Sequence, residues 1–267
     1  MKLTHQLHRV NLPKLFILLL LVTAIFSCQK ELKFDAEPTK DHNLILKFKP
    51  VMLYDSVPLE LGKQYTNYFK EQFTPTAFKF YIHNIALSNS DSGKVFRPAT
   101  DVYYLVDFAD TVSTEIKIAI APYVYNRISF TLGVDSAQNV SGAQTGALDP
   151  ALGMFWNWST GYIMAKLEGT SPKSPQAGKF EFHIGGFDST NSVIKKPYLL
   201  FPYAQNLDLK AGSTSQMFIT ADASKWFYNP WDIKIADNPV ITTPGELAKQ
   251  VAENYSNMFT VDSVYNE

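Results

Sequence analysis

The chain has 267 residues, with 24 basic and 25 acidic side chains and a formal net charge of −1. Aromatic residues make up 14% of the chain and charged residues only 18%, a composition that argues against intrinsic disorder. The charge balance provides no basic footprint, so we expect no nucleic-acid partner. The single cysteine, Cys28, rules out a disulfide within the chain and a metal site built from several thiolates.

The N-terminal segment has the pattern of an export signal. Basic residues precede the apolar run Leu15–Phe26, which is too short to span a bilayer comfortably. Ile25-Phe26-Ser27-Cys28 resembles a bacterial lipobox, with a small residue just before the cysteine. We therefore predict a lipoprotein signal peptide over residues 1–27, and a lipidated Cys28 with a flexible tether over residues 28–42. An ordinary secretory signal or an N-terminal anchor helix is the alternative.

Most of the chain from residue 43 to residue 242 shows the alternation that is typical of β-strands. Apolar, aromatic and β-branched residues recur at every second position, which indicates half-buried strands. Clusters of Gly, Pro, Asn, Asp and Ser separate these segments and predict turns. The predicted fold class is mainly β, an antiparallel β-sandwich or barrel-like domain. The clearest strand segments are Leu44–Lys49, Phe78–Ile82, Val102–Val106, Thr114–Ile120 and Lys179–Ile184.

Residues 243–267 predict a C-terminal α-helix and tail. Thr243 can cap this helix, Pro244 suits its first turn, and Glu246 completes a capping-box spacing. Large side chains then follow at helical spacing, which predicts a stripe that packs on the β domain. The members of this stripe are Leu247, Val251, Asn254, Tyr255 and Met258.

The most unusual segment runs from Leu148 to Ile163 and contains two tryptophans separated by one residue. In a strand, Met154, Trp156 and Trp158 would share one face. Bulky side chains on one face most often belong to the core, and that is one interpretation of the segment. A resemblance to a known family supports another.

The string Met154-Phe155-Trp156-Asn157-Trp158-Ser159-Thr160-Gly161-Tyr162 resembles the core motif of the MbnP-like (methanobactin periplasmic-binding-protein-like) copper-binding domain family. Other segments agree with that family in their order along the chain, and together they cover about residues 43–225. These segments are Gly62–Asn67, Phe78–Ile85, Tyr104–Phe108, Phe130–Asp135, Lys166–Gly169 and Phe180–Gly185.

The resemblance implies a secreted or envelope-bound β-sandwich domain that handles copper as its cofactor. In the best-known members of the family, a tryptophan is oxidised to kynurenine and joins histidines in a copper(I) site. Carried over to this sequence, Trp156 or Trp158 is the candidate for modification, and His183 is the candidate imidazole ligand. An oxidant partner protein would be needed to modify either tryptophan.

The sequence departs from the family pattern in one loop. Copper-binding members carry a histidine after an asparagine in the loop that follows the Gly-Val segment, whereas this chain has Asn139-Val140 there. After the predicted signal peptide, only three histidines remain: His42, His83 and His183. The expected loop ligand is therefore missing.

Imidazole and methionine sulfur are suitable soft donors for copper(I). The tentative metal ligands are therefore His183, His83 and Met154, provided that their strands adjoin. Glu181 lies two residues before His183 and could orient its imidazole. Each histidine could equally be an exposed or hydrogen-bonded strand residue.

The sequence thus predicts a lipoprotein of the bacterial cell envelope that binds copper, held by lipid on the periplasmic side or at the outer membrane. The membrane is its expected partner through the anchor. The chain contains no nucleophile elbow, Walker loop, zinc-protease helix or dinucleotide fingerprint, so we predict no catalytic residues and no enzyme. The alternative is a non-metal binding lipoprotein that uses the same scaffold for a partner or ligand in an uptake or surface complex. Aromatic stretches such as Tyr198, Phe201 and Tyr203 would then form its contact surface.

Overall fold

A computed structural model of the chain describes residues 43–53, 57–98, 101–142, 144–157, 161–209 and 214–266. The predicted signal peptide, Cys28 with its tether, and Trp158 lie outside these residues, as does His42. No helix in the described part of the chain is long and apolar enough to cross a membrane.

The described residues form a mainly β domain, which confirms the predicted fold class. Each strand segment named from the sequence overlaps an observed strand. The strands are β1 Asn43–Met52, β2 Val57–Pro58, β3 Tyr65–Thr66, β4 Gln72–Ser88, β5 Val95–Phe96, β6 Tyr104–Asp107, β7 Glu115–Ala119, β8 Val124–Tyr125, β9 Arg127–Leu132, β10 Phe155–Asn157, β11 Gly161–Thr170, β12 Lys179–Gly185, β13 Tyr198–Leu200, β14 Leu207–Asp208, β15 Thr214–Asp222, β16 Val240–Ile241 and β17 Phe259–Tyr265.

Two sheets make up most of this domain. The larger sheet curls into a half-barrel in the order β13-β9-β4-β11-β12-β16, with β3, β5 and β6 also paired to β4 and β10 paired to β11. The smaller sheet has the order β17-β15-β1-β2, with β7 also paired to β1. The pairs β1–β15 and β12–β16 are parallel, and the other described pairs of the two sheets are antiparallel.

Strand β4 organises the larger sheet because two strands share one of its edges. Its first part pairs with β11, where Phe80 lies opposite Ala165, and its second part pairs with β9, where Ile82 lies opposite Leu132. Strand β6 lies on the other edge of β4 and pairs with Lys79 to Ile82, where the partner on the first edge changes from β11 to β9. Strands β9 and β11 therefore meet end to end, and the tryptophan segment lies beside this junction.

Phenylalanine rings from the two sheets fill the space between them. Phe48 of the smaller sheet lies 5.8 Å from Phe80 and 6.1 Å from Phe130 of the larger sheet, measured between ring centroids. Phe259 of β17 lies 5.2 Å from Phe80. The alternation along β4 explains this core, because Phe78, Phe80 and Ile82 share one face and are fully buried.

The described residues include two α-helices, α1 Ser136–Asn139 and α2 Glu246–Tyr255. The predicted stripe of α2 is buried at Val251, Asn254 and Tyr255, and the Tyr255 ring lies 4.8 Å from that of Trp226. The cap predicted for this helix is wrong. The residue before the helix is Gly245, at φ 155°, and glycine has no side chain that could cap the helix. Only glycine adopts that conformation readily, and it is not helical. The helix therefore begins after Gly245, two residues after Pro244.

The residues predicted as a tail after α2 include a strand that the sequence analysis missed. Strand β17 pairs with β15 from Phe259 to Tyr265 and places Phe259 and Val261 in the core. These two residues alternate with the exposed Thr260 and Asp262, so the signal was present in the sequence. The chain thus ends its described part inside the smaller sheet.

Candidate functional site

His183 lies on the outer face of β12 in contact with a carboxylate from the neighbouring strand. Its Nε2 atom is 2.6 Å from Oε1 of Glu168 on β11. The same carboxylate oxygen is 3.1 Å from Nζ of Lys166, which lies directly opposite His183 in the strand register. Glu168 therefore orients the imidazole, the role that the sequence analysis considered for Glu181.

Lys166 links this polar pair to the segment that contains the tryptophans. Its Nζ donates a hydrogen bond of 2.7 Å to the carbonyl oxygen of Gly153, and the side chain is largely buried. On its other side Lys166 lies opposite Lys79, which forms an ion pair of 2.7 Å with Asp107. A row of paired charges thus crosses β6, β4, β11 and β12 on the face away from the core.

The electrostatics of the row hold Glu168 in its ionised form. The hydrogen bond from His183 lowers the pKa of Glu168 from 4.5 to about 2, and the charge of Lys166 adds to this effect while burial opposes it. An ionised carboxylate at Nε2 favours the tautomer or charge state in which Nε2 carries a proton. In the neutral ring, the lone pair available to a metal is then on Nδ1.

Trp156 packs on the backbone of β12 two residues beyond His183. A Cβ atom added to Gly185 would lie 2.5 Å from Cζ3 of the Trp156 ring, so the indole occupies the space that the glycine leaves open. Residues two apart on a strand point to one face and are separated by about 7 Å. The structure therefore brings Trp156 and His183 to the same face of β12.

Met154 and Phe155, which precede Trp156, contact β11. The carbonyl oxygen of Met154 accepts a bond of 2.9 Å from the backbone N–H of Ile163, and the Met154 side chain is fully buried. The Phe155 ring lies 4.9 Å from that of Tyr162. The interpretation of these side chains as core thus holds for Met154, while Trp156 is half-buried.

Asn139 anchors this region, a role that the sequence analysis did not assign. Its amide nitrogen donates to the carbonyl oxygens of Val134 and Asp135, and its amide oxygen accepts a bond of 2.8 Å from the N–H of Tyr162. A Cβ atom at Gly161 would come within 2.2 Å of that oxygen. Gly161, at φ 74°, is therefore needed for both its conformation and the close approach.

Val140 follows Asn139, at the position where the resemblance led us to expect a histidine. Its side chain is 69% exposed. The loop thus presents an apolar side chain to solvent at this position.

His83 belongs to a separate polar cluster on β4. Its Nδ1 lies 2.7 Å from Oδ2 of Asp101, and its ring stacks on that of Tyr103 at 4.4 Å. The Tyr103 hydroxyl donates to Asp135, the residue that caps α1. The Nε2 atom of His83 is buried and has no hydrogen-bond partner among the described residues. These contacts fit a structural histidine.

The two described histidines do not share a site. Strand β11 separates β4 from β12, and Lys79, not His83, lies in line with Lys166 and His183. His83 is four residues further along β4, about 13 Å, and two strand spacings away, about 10 Å. Metal–imidazole bonds are about 2 Å long. No group of three His, Cys, Asp or Glu side chains in the described residues could hold a metal ion.

Comparison with known proteins decides the family. The model of the MbnP family matches residues 41–244, which is most of the chain. The chain belongs to the MbnP family. A search of curated proteins finds no match. Among solved structures, MbnP from Methylosinus trichosporium matches with a TM-score of 0.45 and 16% identity, over 77% of this chain and 81% of that one.

The MbnP family is associated with methanobactin and copper systems, and its members are considered copper-binding proteins rather than typical enzymes. The side chains described here do not by themselves fit a closed copper site. Near Trp156 these side chains include one imidazole, that of His183. They also include the ammonium group of Lys166, whose positive charge disfavours a nearby cation. In this member of the MbnP family, further donors would have to come from elsewhere.

Proposed function

We propose that this chain is a lipoprotein of the bacterial envelope that handles copper on the face of β12 shared by His183 and Trp156. The observation that carries the proposal is the packing of the Trp156 ring on Gly185, two residues from His183 on the same strand face. Membership of the MbnP family supports copper as the metal. The lipid anchor on Cys28 and the location in the envelope are part of the proposal and rest on the N-terminal sequence alone.

His183 would bind the metal through Nδ1. Its Nε2 is held by Glu168 at 2.6 Å, an arrangement in which a carboxylate fixes the orientation of the ring. Copper(I) accepts imidazole nitrogen and thioether sulfur as donors. Met154, the thioether donor expected from the sequence, is fully buried in the core, so we do not include its sulfur in this site.

Trp156 would contribute only after oxidation to kynurenine, the change that its family resemblance implies. An indole ring has no lone pair free for a metal at neutral pH, whereas kynurenine offers an amine and a ketone. That oxidation requires an oxidant partner protein. Trp156 is half-buried against the glycine of β12, so the site of modification would lie beside the imidazole.

Copper(I) titration of the protein purified from its native host tests the metal-binding part of this proposal. We expect wild-type protein to bind copper(I) at least about tenfold tighter than a His183→Ala variant, a difference of about 1.4 kcal/mol. Peptide mass mapping of the same sample should locate kynurenine at residue 156. His83→Gln is the matched control, because it removes the other described imidazole and should leave the affinity unchanged.

Equal copper(I) affinity of wild-type and His183→Ala protein would contradict the proposal, provided that both variants retain the native unfolding transition. Unmodified tryptophans in native protein would remove Trp156 as a donor and leave His183 alone. Kynurenine at residue 158 and not at residue 156 would mean that Trp156 is not the modified residue, and it would contradict the site proposed beside Gly185.

A second candidate function is a binding lipoprotein that retains the scaffold without the metal. The observation that favours it is the absence of any three-donor cluster in the described ranges, together with the exposed valine at position 140. In that case the domain would bind a partner or ligand in an uptake or surface complex. Absence of both copper binding and tryptophan modification in native protein would favour this function over the first.

A further inference from the structure

Exposed tyrosine and leucine side chains lie on β13, on the segment that follows it and at the end of β17. Tyr203 is 94% exposed, and Tyr198 and Leu200 of the edge strand β13 are each 58% exposed on one face of that strand. Tyr265 at the end of β17 is 56% exposed. Tyr203 also has φ 52°, a left-handed conformation that is uncommon for a residue other than glycine. We call these four residues the anchor-proximal surface, for the reason given next.

Hydrogen bonds and strand pairing connect the segments that carry Leu200, Tyr203 and Tyr265. Leu200 lies opposite Arg127 at the beginning of β9, and three residues after Leu200 comes Tyr203. The Nδ2 of Asn266, the residue after Tyr265, donates a bond of 3.0 Å to the carbonyl oxygen of Asn206. The N–H of Asp208 in turn donates to Oδ1 of Asn266 at 2.9 Å. The end of β17 is thereby fastened to the segment that follows Tyr203.

The first described strand begins at this same end. Asn43 lies opposite Thr214 at the beginning of β15 and opposite Ala119 at the end of β7. Tyr265 pairs with Gln216, and Gln216 pairs with Ile45. The chain that comes from Cys28 must therefore enter the domain beside the anchor-proximal surface. Fourteen residues lie between Cys28 and Asn43, and a chain of that length reaches at most about 50 Å.

The charges around this surface favour an anionic partner. Arg127 lies 5.9 Å from the centre of the Tyr198 ring. Lys94 lies 4.1 Å from the ring of Tyr123, near the beginning of β8. Asp208 is an exposed acidic side chain at the same end. Tyrosines, leucine and basic groups together are the side chains that bind at the interface of a bilayer with anionic lipids.

We propose that the anchor-proximal surface docks on the bilayer that holds the lipid anchor. The inference rests on the lipidation of Cys28 that forms part of the proposed function. A few interfacial side chains bind a bilayer weakly on their own, but a short tether gives them a high effective concentration at the membrane. Docking then fixes the orientation of the domain, which the lipid alone would leave free.

Labelling at single cysteines tests this docking in the complete lipidated chain. Because the chain has one cysteine and its sulfur carries the lipid, Tyr203→Cys and Leu200→Cys each introduce a unique free thiol. Val112→Cys is the matched control: Val112 is 79% exposed and precedes Glu115, at the end of β7 away from Ala119. Each variant is labelled with a polarity-sensitive fluorophore and inserted into vesicles of phosphatidylcholine and phosphatidylglycerol with brominated acyl chains.

We expect the labels at positions 203 and 200 to shift to shorter wavelength and to be quenched by the brominated lipid, while the label at position 112 remains as in water. If the protein floats with the vesicles but all three labels remain in water, the docking is overturned and the surface faces solvent or a soluble partner. If the protein does not float with the vesicles, the anchor itself is overturned, and the docking with it. Copper binding is measured on the same protein and is independent of either result.

Discussion

At the scale of single residues, the cross-strand contact of His183 with Glu168 decides what the imidazole can do. The sequence identified His183, and strand alternation suggested Glu181 as its partner because both lie on one strand face. The actual partner is Glu168 on β11, a diagonal neighbour across the strands that lies within reach of a long side chain. Strand pairing joins residues that are distant in sequence, so this contact could not be predicted from local pattern.

Replacing Glu168 with glutamine should lower stability in a way that depends on pH. The pKa of Glu168 is 4.5 in the free side chain and about 2 in the folded protein. The contact therefore stabilises the fold above pH 4.5, and this stabilisation is lost as the pH falls toward 2. Because the group is partly exposed, we expect a loss of about 1 kcal/mol for Glu168→Gln near neutral pH. The measurement is urea unfolding of both proteins over a pH series.

The difference between the two unfolding free energies should narrow below pH 4.5 and vanish near pH 2. Glu181→Gln on the neighbouring strand is the control and should show no such trend. A difference that stayed constant over the whole series would mean that the ionised Glu168 does not contribute to stability.

At the scale of elements, strands were predictable because alternation is local, whereas their lengths and ends were not. Lys179–Ile184 corresponds closely to β12, but Phe78–Ile82 is only the middle of the 17-residue strand β4. Its remaining residues include Pro75 and Asn84, which interrupt the sequence pattern and lie where its pairing with β11 and β9 changes register. The capping box of α2 was similarly overridden by one glycine.

Asn139 connects two elements, and its loss should loosen the tryptophan segment. Asn139→Ala would remove three hydrogen bonds between α1, the end of β9 and β11, and would leave the buried N–H of Tyr162 without its acceptor. We expect a loss of about 2 kcal/mol in unfolding free energy. Tryptophan fluorescence should also shift, because Tyr162 packs directly on Phe155 beside Trp156.

Val140→Ala on the adjacent, exposed position is the matched control and should change neither quantity. Asn139→Asp keeps the acceptor for Tyr162 but places a carboxylate oxygen against the carbonyl oxygens of Val134 and Asp135, so it should be no more stable than Asn139→Ala. An alanine variant as stable as wild type would show that water replaces these bonds.

At the scale of the whole molecule, the smaller sheet joins the two ends of the described chain. Strand β1, in the centre of this sheet, is the first strand of the described chain. It pairs with β15, which in turn pairs with β17, and these two are the last long strands. The sequence predicted the two-sheet class but contained no local signal for this pairing, because the parallel register of β1 with β15 spans most of the chain. Strand β17 itself shows alternation in the sequence, but its pairing with β15 has no local signal either.

Removal of residues 259–267 should therefore unfold the domain rather than shorten it. The deletion would expose the edge of β15 and remove Phe259, whose ring lies 5.1 Å from Phe130 and 5.2 Å from Phe80 in the core. We expect loss of the cooperative unfolding transition, measured by circular dichroism in urea. Removal of residues 266 and 267 alone leaves β17 paired and should retain the transition.

The same pairing sets the order of events for a chain that crosses a membrane with its N-terminus first. Strand β1 would arrive earliest, and although β2 and β7 follow it soon, it would remain without β15, its longest partner, until most of the chain had crossed. The smaller sheet could then close only after nearly the whole chain had been released, and until that moment the apolar face of β1 would be open to chaperones or to aggregation. Folding of this domain would thus be a late event in secretion.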